Sequence, residues 1–173
     1  GGKTLLRLVH SGFSIDDNWN DQFDATKRGW NFELRGLKHY LENHRGTRRE
    51  VIWVRKQVNS PFEKVWKNIV APRLVTKPEA SNKSYTLNLS DSESLFGETR
   101  ILAEPFDFAG TVTNFNNGYL RIRIDKSCGP SKTPEINLWL SLYGVKKADQ
   151  EQLEKSFYSI LEHLVEEATM TQL

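Results

Sequence analysis

The chain reads as an α+β domain in which a curved antiparallel sheet wraps around a long C-terminal helix, preceded by an extra strand-helix unit. Three observations predict this. Alternating apolar runs separated by turn chemistry fill residues 84–143. A helical apolar stripe, Leu153, Phe157, Ile160 and Leu164, closes the chain, and a strand-turn-helix pattern at its start matches the one at its end. Each element then has one apolar stripe to bury, and a sheet closed over one helix buries them together.

At residues 4–10, Leu6, Leu8 and His10 alternate with Leu5, Arg7 and Val9, which predicts a strand. After the turn at Ser11-Gly12-Phe13, Ser14 and Asp17 offer a helix cap. A helix follows through Trp19, Phe23, Trp30, Leu34, Leu37 and Leu41, with Gly29 as a candidate break and Gly46 as its stop. Residues 44–50, polar and arginine-rich, read as a solvated linker and a boundary. Residues 51–58 alternate as a strand through Ile52, Val54 and Val58. Ser60-Pro61 then opens a short helix with Phe62, Val65, Trp66 and Ile69 on its apolar face, ending before Pro72. Residues 71–83 read as irregular.

Strands are expected around Tyr85-Leu87-Leu89, over 96–103, over 108–115 up to the Asn116-Asn117-Gly118 hairpin signal, over 119–126 and over 136–143. The run 119–126 is the clearest half-buried strand, with Leu120, Ile122 and Ile124 against Arg121, Arg123 and Asp125. Asp149 with Gln152 forms a capping box for the last helix.

With 38% apolar and 27% charged residues, the composition is that of a globular protein, and no apolar run is long enough for a bilayer-spanning helix. A formal charge of +2 argues against a polyanion partner, so nucleic acid is not the expected ligand. The single cysteine, Cys128, cannot close an internal disulfide, which fits a reducing, cytoplasmic setting or simply a fold that needs no staple.

Placing Gly12 on Gly144 superposes Leu6 and Leu8 on Leu138 and Leu140, and Trp30, Leu34, Leu37 and Leu41 match Leu153, Phe157, Ile160 and Leu164. The run LRLVHSGF (Leu6 to Phe13), Trp19, Arg28-Gly29-Trp30 and Leu37-Lys38-His39-Tyr40-Leu41-Glu42 resembles the C-terminal motif of heat-shock-protein ATPase activator-like proteins. These belong to the SRPBCC superfamily, with the START and birch-allergen helix-grip fold. Val51 to Trp66 is similar to the opening of the same domain. The resemblance implies a tandem: residues 1–46 hold the last strand and helix of a truncated first repeat, and residues 50–168 a complete helix-grip domain. The second copy departs from the motif, with Leu153 in place of Trp30 and no Gly-Trp pair, so family roles transfer to it poorly. The truncated unit carries an uncovered apolar stripe, which is expected to find cover by docking on the second repeat or, preferably, in a homodimer.

No catalytic constellation, phosphate loop or metal-ligand spacing is present, and no cofactor or metal is expected. His10 and Cys128 read as packing and loop residues. What remains is apolar concavity. The helix-grip resemblance implies a cavity between the sheet and the last helix, with candidate lining residues Trp66, Phe96, Phe108, Phe115, Leu120, Ile122, Ile124, Leu138, Leu140, Phe157 and Leu161. The leading expectation is a non-catalytic domain binding a hydrophobic small molecule or lipid. A protein-interaction or chaperone-assisting module is the alternative, suggested by the family resemblance and by Trp53, Trp139 and Tyr143 as exposed aromatic positions, and a cyclase- or aromatase-like enzyme is third.

Overall fold

A computed structural model describes residues 4–12, 20–77, 83–126 and 133–170. The helix α1 (Asn20–Asn43) leads into β1 (Arg49–Gln57), and then α2 (Phe62–Val65) runs on as a π-helical turn, Trp66–Val70. Strands β2 (Leu74–Lys77), β3 (Ser84–Asn88), β4 (Ser94–Ala103), β5 (Asp107–Val112), β6 (Gly118–Lys126) and β7 (Pro134–Tyr143) follow, and α3 (Lys147–Met170) closes the chain. The seven strands form one sheet in the order β1-β7-β6-β5-β4-β3-β2, with antiparallel pairing throughout.

The inner face of this sheet is the apolar one. Leu120, Ile122 and Ile124 pair with Leu140, Leu138 and Ile136 across β6 and β7, and α3 lays Leu153, Phe157, Ile160 and Leu161 on them. All are nearly or wholly buried, so their transfer out of water is the main drive for closing the sheet over the helix. Opposite this face lies α1, which docks on the outer side of β5, β6 and β7. The sheet is therefore covered on both faces along its middle strands.

Glycine sets the closest strand approach. A Cβ on Gly97 would overlap the carbonyl of Thr111, and one on Gly110 would sit 2.5 Å from the Tyr85 ring. Both lie near the register shift between Thr99 and Ile101 in β4. Gly97→Ala is expected to cost about 1–3 kcal/mol, since backbone rather than a side-chain tip must move, and urea denaturation measures it.

Several local expectations are corrected. Residues 4–12 join no strand ladder, and Leu5, Leu6 and Val9 stay exposed. Gly29 does not break α1, because an isolated glycine only weakens a helix that tertiary contacts hold. Within 44–50 the arginines are exposed as expected, but His44 is 7% exposed, its ring stacked on Tyr143 at 4.0 Å, and Arg49 already begins β1. Gly46, at φ +87°, does make the turn after α1. Pro61 stands one position before the first turn of α2. Within the stretch read as irregular, Leu74–Lys77 adds an edge strand by pairing with β3. Strand β5 ends at Val112, and Thr113–Phe115 is a 3-10 turn. Asp149 sits inside the first turn of α3 rather than capping it, its charge near the positive end of the helix dipole. The Ser14 cap and Cys128 lie outside the described residues.

Candidate functional site

Nine of the eleven candidate lining residues converge: Trp66, Phe108, Leu120, Ile122, Ile124, Leu138, Leu140, Phe157 and Leu161 belong to one buried cluster between the sheet and α3. Phe115 is partly buried against its rim. Phe96 is 45% exposed, because strand alternation turns Leu95 inward toward Leu87 and Phe96 to the opposite side.

On the other side of the sheet, α1 holds two distinct faces. Arg28, Phe32, Gly36, His39 and Asn43, spaced at helical intervals, meet the sheet. Phe32 stacks on Tyr119 at 5.3 Å, and Tyr119 in turn stacks on His39 at 5.2 Å. Beneath Phe32 lies a buried ion pair: Arg121 donates to both carboxylate oxygens of Asp107, at 2.8 and 2.6 Å, with its guanidinium 4.7 Å from the Phe32 ring. Arg28 reaches Asp125 at 2.8 Å, and Asp125 also pairs with Arg123. The arginines of β6 thus serve the helix contact and do not form a free basic face.

The far end of α1 is fixed by the hairpin turn between β5 and β6. Asn116 and Asn117 both adopt positive φ, which asparagine tolerates, and this turns the Asn117 carbonyl toward the helix. His39 and His44 each bring Nε2 to that carbonyl, at 2.7 and 2.9 Å. An Nε2–H must donate there, which leaves Nδ1 of His39 to accept from Asn43. Burial pushes the His39 pKa down, and the nearby charges of His44 and Arg100 add to this, while the Asn117 bond opposes it.

The opposite face of α1 looks outward. Trp30, Leu37 and Leu41 are 37%, 45% and 53% exposed, and Leu34 is half-buried. Residues 4–12 run beside them, with Trp30 Nε1 donating to His10 Nδ1 at 2.8 Å. Leu6, Leu8, Trp30, Leu34, Leu37, Tyr40 and Tyr143 line an open apolar groove of about 540 Å³, with Glu33, Arg48 and Arg49 also on its walls. A second concavity, of about 220 Å³, lies where α1 meets β4 and β6, lined by Arg35, Lys38, His39, Glu42, Asn43, Arg100 and Tyr119.

Sequence reasoning placed none of this second group in a site. Its signal was present: Arg35, Lys38, His39 and Glu42 recur at helical spacing, and Tyr119 shares the polar side of β6 with Arg121. Strand alternation alone reads that side as solvent-facing. Among the described residues no group of three His, Cys, Asp or Glu is placed to hold a metal ion, and no helix is long and apolar enough to cross a membrane.

No protein-family model matches the chain, and no curated protein matches it in sequence. Solved structures do. An uncharacterized protein from Bacillus thuringiensis superposes with TM-score 0.54 at 13% identity, covering 69% of this chain and 99% of that one. The Aha1 dimer from Colwellia psychrerythraea gives 0.52 at 6% identity, covering 67% and 93%. DynU16, a protein of the dynemicin biosynthetic locus, gives 0.50 at 14% identity over 67% of this chain and 46% of that one. At such identities the likeness is one of architecture, and with the sheet and α3 as described the chain has a helix-grip fold.

Proposed function

We propose that this chain is a non-catalytic protein-interaction module whose α1 groove receives the apolar face of a partner protein's β-sheet. The observation that carries it is the outward stripe of Trp30, Leu34, Leu37 and Leu41, continued by Leu6 and Leu8. Contiguous exposed apolar surface of this kind marks an interaction site. Its chemistry has a counterpart within the chain: Leu138, Leu140, Leu153, Phe157 and Ile160, at the matching positions of the end pattern, are buried where α3 meets the inner face of the sheet. A stripe of the same spacing suits the same kind of cover. On the tandem interpretation, residues 1–46 are the strand-helix end of a first repeat and residues 50–168 the second.

A photo-crosslinking amino acid at Leu37, in cells, tests this, with Tyr158 on the exposed side of α3 as the control position. One discrete protein adduct from position 37 and none from 158 is expected. An adduct with a second copy makes the partner the chain itself. No adduct at position 37 sinks the proposal.

Binding of a hydrophobic small molecule or lipid between sheet and α3 stands as a second reading, favoured by the convergence of the nine lining residues there. A bound apolar molecule in native mass spectra supports it, and spectra and solvent extracts free of one count against it. The cyclase-like alternative requires an acid or base aimed at that interior, whereas the buried pair Asp107 and Arg121 lies on the other face.

A further inference from the structure

From the smaller concavity we infer a second, independent site: a pocket for a small tetrahedral oxyanion of the phosphate type, formed by Arg35 and Lys38 of α1, Arg100 of β4 and Tyr119 of β6. It does not depend on the groove described above, which lies on the outward face of the helix.

The Tyr119 hydroxyl is the feature that asks for a ligand. Tyr119 is 2% exposed, its ring held between Phe32 and His39, and its hydroxyl is buried with no hydrogen-bond partner among the described residues. Buried hydroxyls are almost always satisfied, so an orphan beside a concavity points to a group that enters it. Burial raises the Tyr119 pKa to about 12, against the opposing pull of Arg35, Arg100 and Arg121. At neutral pH the phenol therefore keeps its proton and can donate.

The surrounding charges fit an anion. Three cations line the pocket against one carboxylate, Glu42. Arg35 donates through Nε to Asn31 at 3.0 Å, and among the described residues no carboxylate pairs with it. Lys38 pairs with Glu42, and Arg100 pairs with Glu98 from outside the lining at 2.7 Å, but both are solvent-exposed pairs, weak enough to yield to a ligand. Guanidinium groups from two elements, helix and strand, present paired donors that match phosphate oxygens. A volume of about 220 Å³ is small for a drug-sized ligand and suits a compact anion with some water.

The test is titration of the full chain with inorganic phosphate at low ionic strength, followed by arginine side-chain N–H resonances and by thermal melting. Saturable shifts at Arg35 and Arg100, with a melting temperature that rises with phosphate, are expected. Tyr119→Phe keeps the ring stack and removes a hydroxyl that has no protein partner, so it should fold normally yet bind phosphate roughly tenfold more weakly or worse. Arg35→Gln with Arg100→Gln should abolish saturation, whereas Arg55→Gln, an exposed arginine beside Trp53, should leave it unchanged. No saturable response, or equal affinity in Tyr119→Phe and Arg55→Gln, overturns the site. Acetate binding as tightly as phosphate overturns the tetrahedral assignment.

Discussion

Asp107→Ala should destabilise the fold by about 3–5 kcal/mol, because it leaves the Arg121 guanidinium charged, 94% buried and without its bidentate partner. The charge has little escape. Phe32 lies over it and the Arg121 side chain is nearly buried, so the cost is desolvation without compensation. Urea denaturation of the single variant measures this as a lower midpoint at nearly unchanged slope. The double replacement Asp107→Leu with Arg121→Met is expected to recover most of the loss, since a buried pair exchanged for well-packed apolar groups is often neutral. Equal instability in single and double variants would show that shape, not charge, sets the cost.

Phe157→Ala is the second large effect, again about 3–5 kcal/mol. Phe157 is wholly buried in the apolar cluster that α3 shares with the sheet. Truncation removes its transfer energy and leaves a void that the closed sheet can fill only partly. The same variant bears on the interior-ligand reading. A filled core predicts the full cost, whereas a ligand-lined hollow beside Phe157 predicts a much smaller one and a looser fit for whatever apolar molecule is bound. Parallel melts with and without added apolar ligand separate the two outcomes.

The inner half of this architecture was legible in the residues. Leu120, Ile122 and Ile124 alternate as a strand facing a core must, and Leu153, Phe157 and Ile160 repeat at helical spacing; each has one plausible place to go. The outer half was not. Strand β6 carries Tyr119, Arg121, Arg123 and Asp125 on alternate positions, and alternation assigns such residues to water. In the structure Arg121 and Asp125 are under α1, satisfied by partners 14 and 97 positions away in sequence, and no local pattern encodes that distance. The helix misled in the opposite sense. Its apolar stripe at Trp30, Leu34, Leu37 and Leu41 looked like the buried face, yet burial went to Phe32 and His39. Residues 4–10 failed as a strand for a related reason, since alternation gives the potential to pair but a ladder also needs a neighbour.

The manner in which α1 is held fixes its azimuth about its own axis. Successive residues advance roughly 100°, so the stripe at positions 30, 34, 37 and 41 points almost directly away from the face at 28, 32, 36, 39 and 43. Rolling the helix over would bury more hydrocarbon. It would also strip Asp125 of Arg28, the Asn117 carbonyl of His39, and Arg121 of the aromatic ring above it. The polar side of the sheet therefore works as a keyed surface, accepting the helix at a single angle. The greasier half of the helix is thereby kept from collapsing onto its own domain.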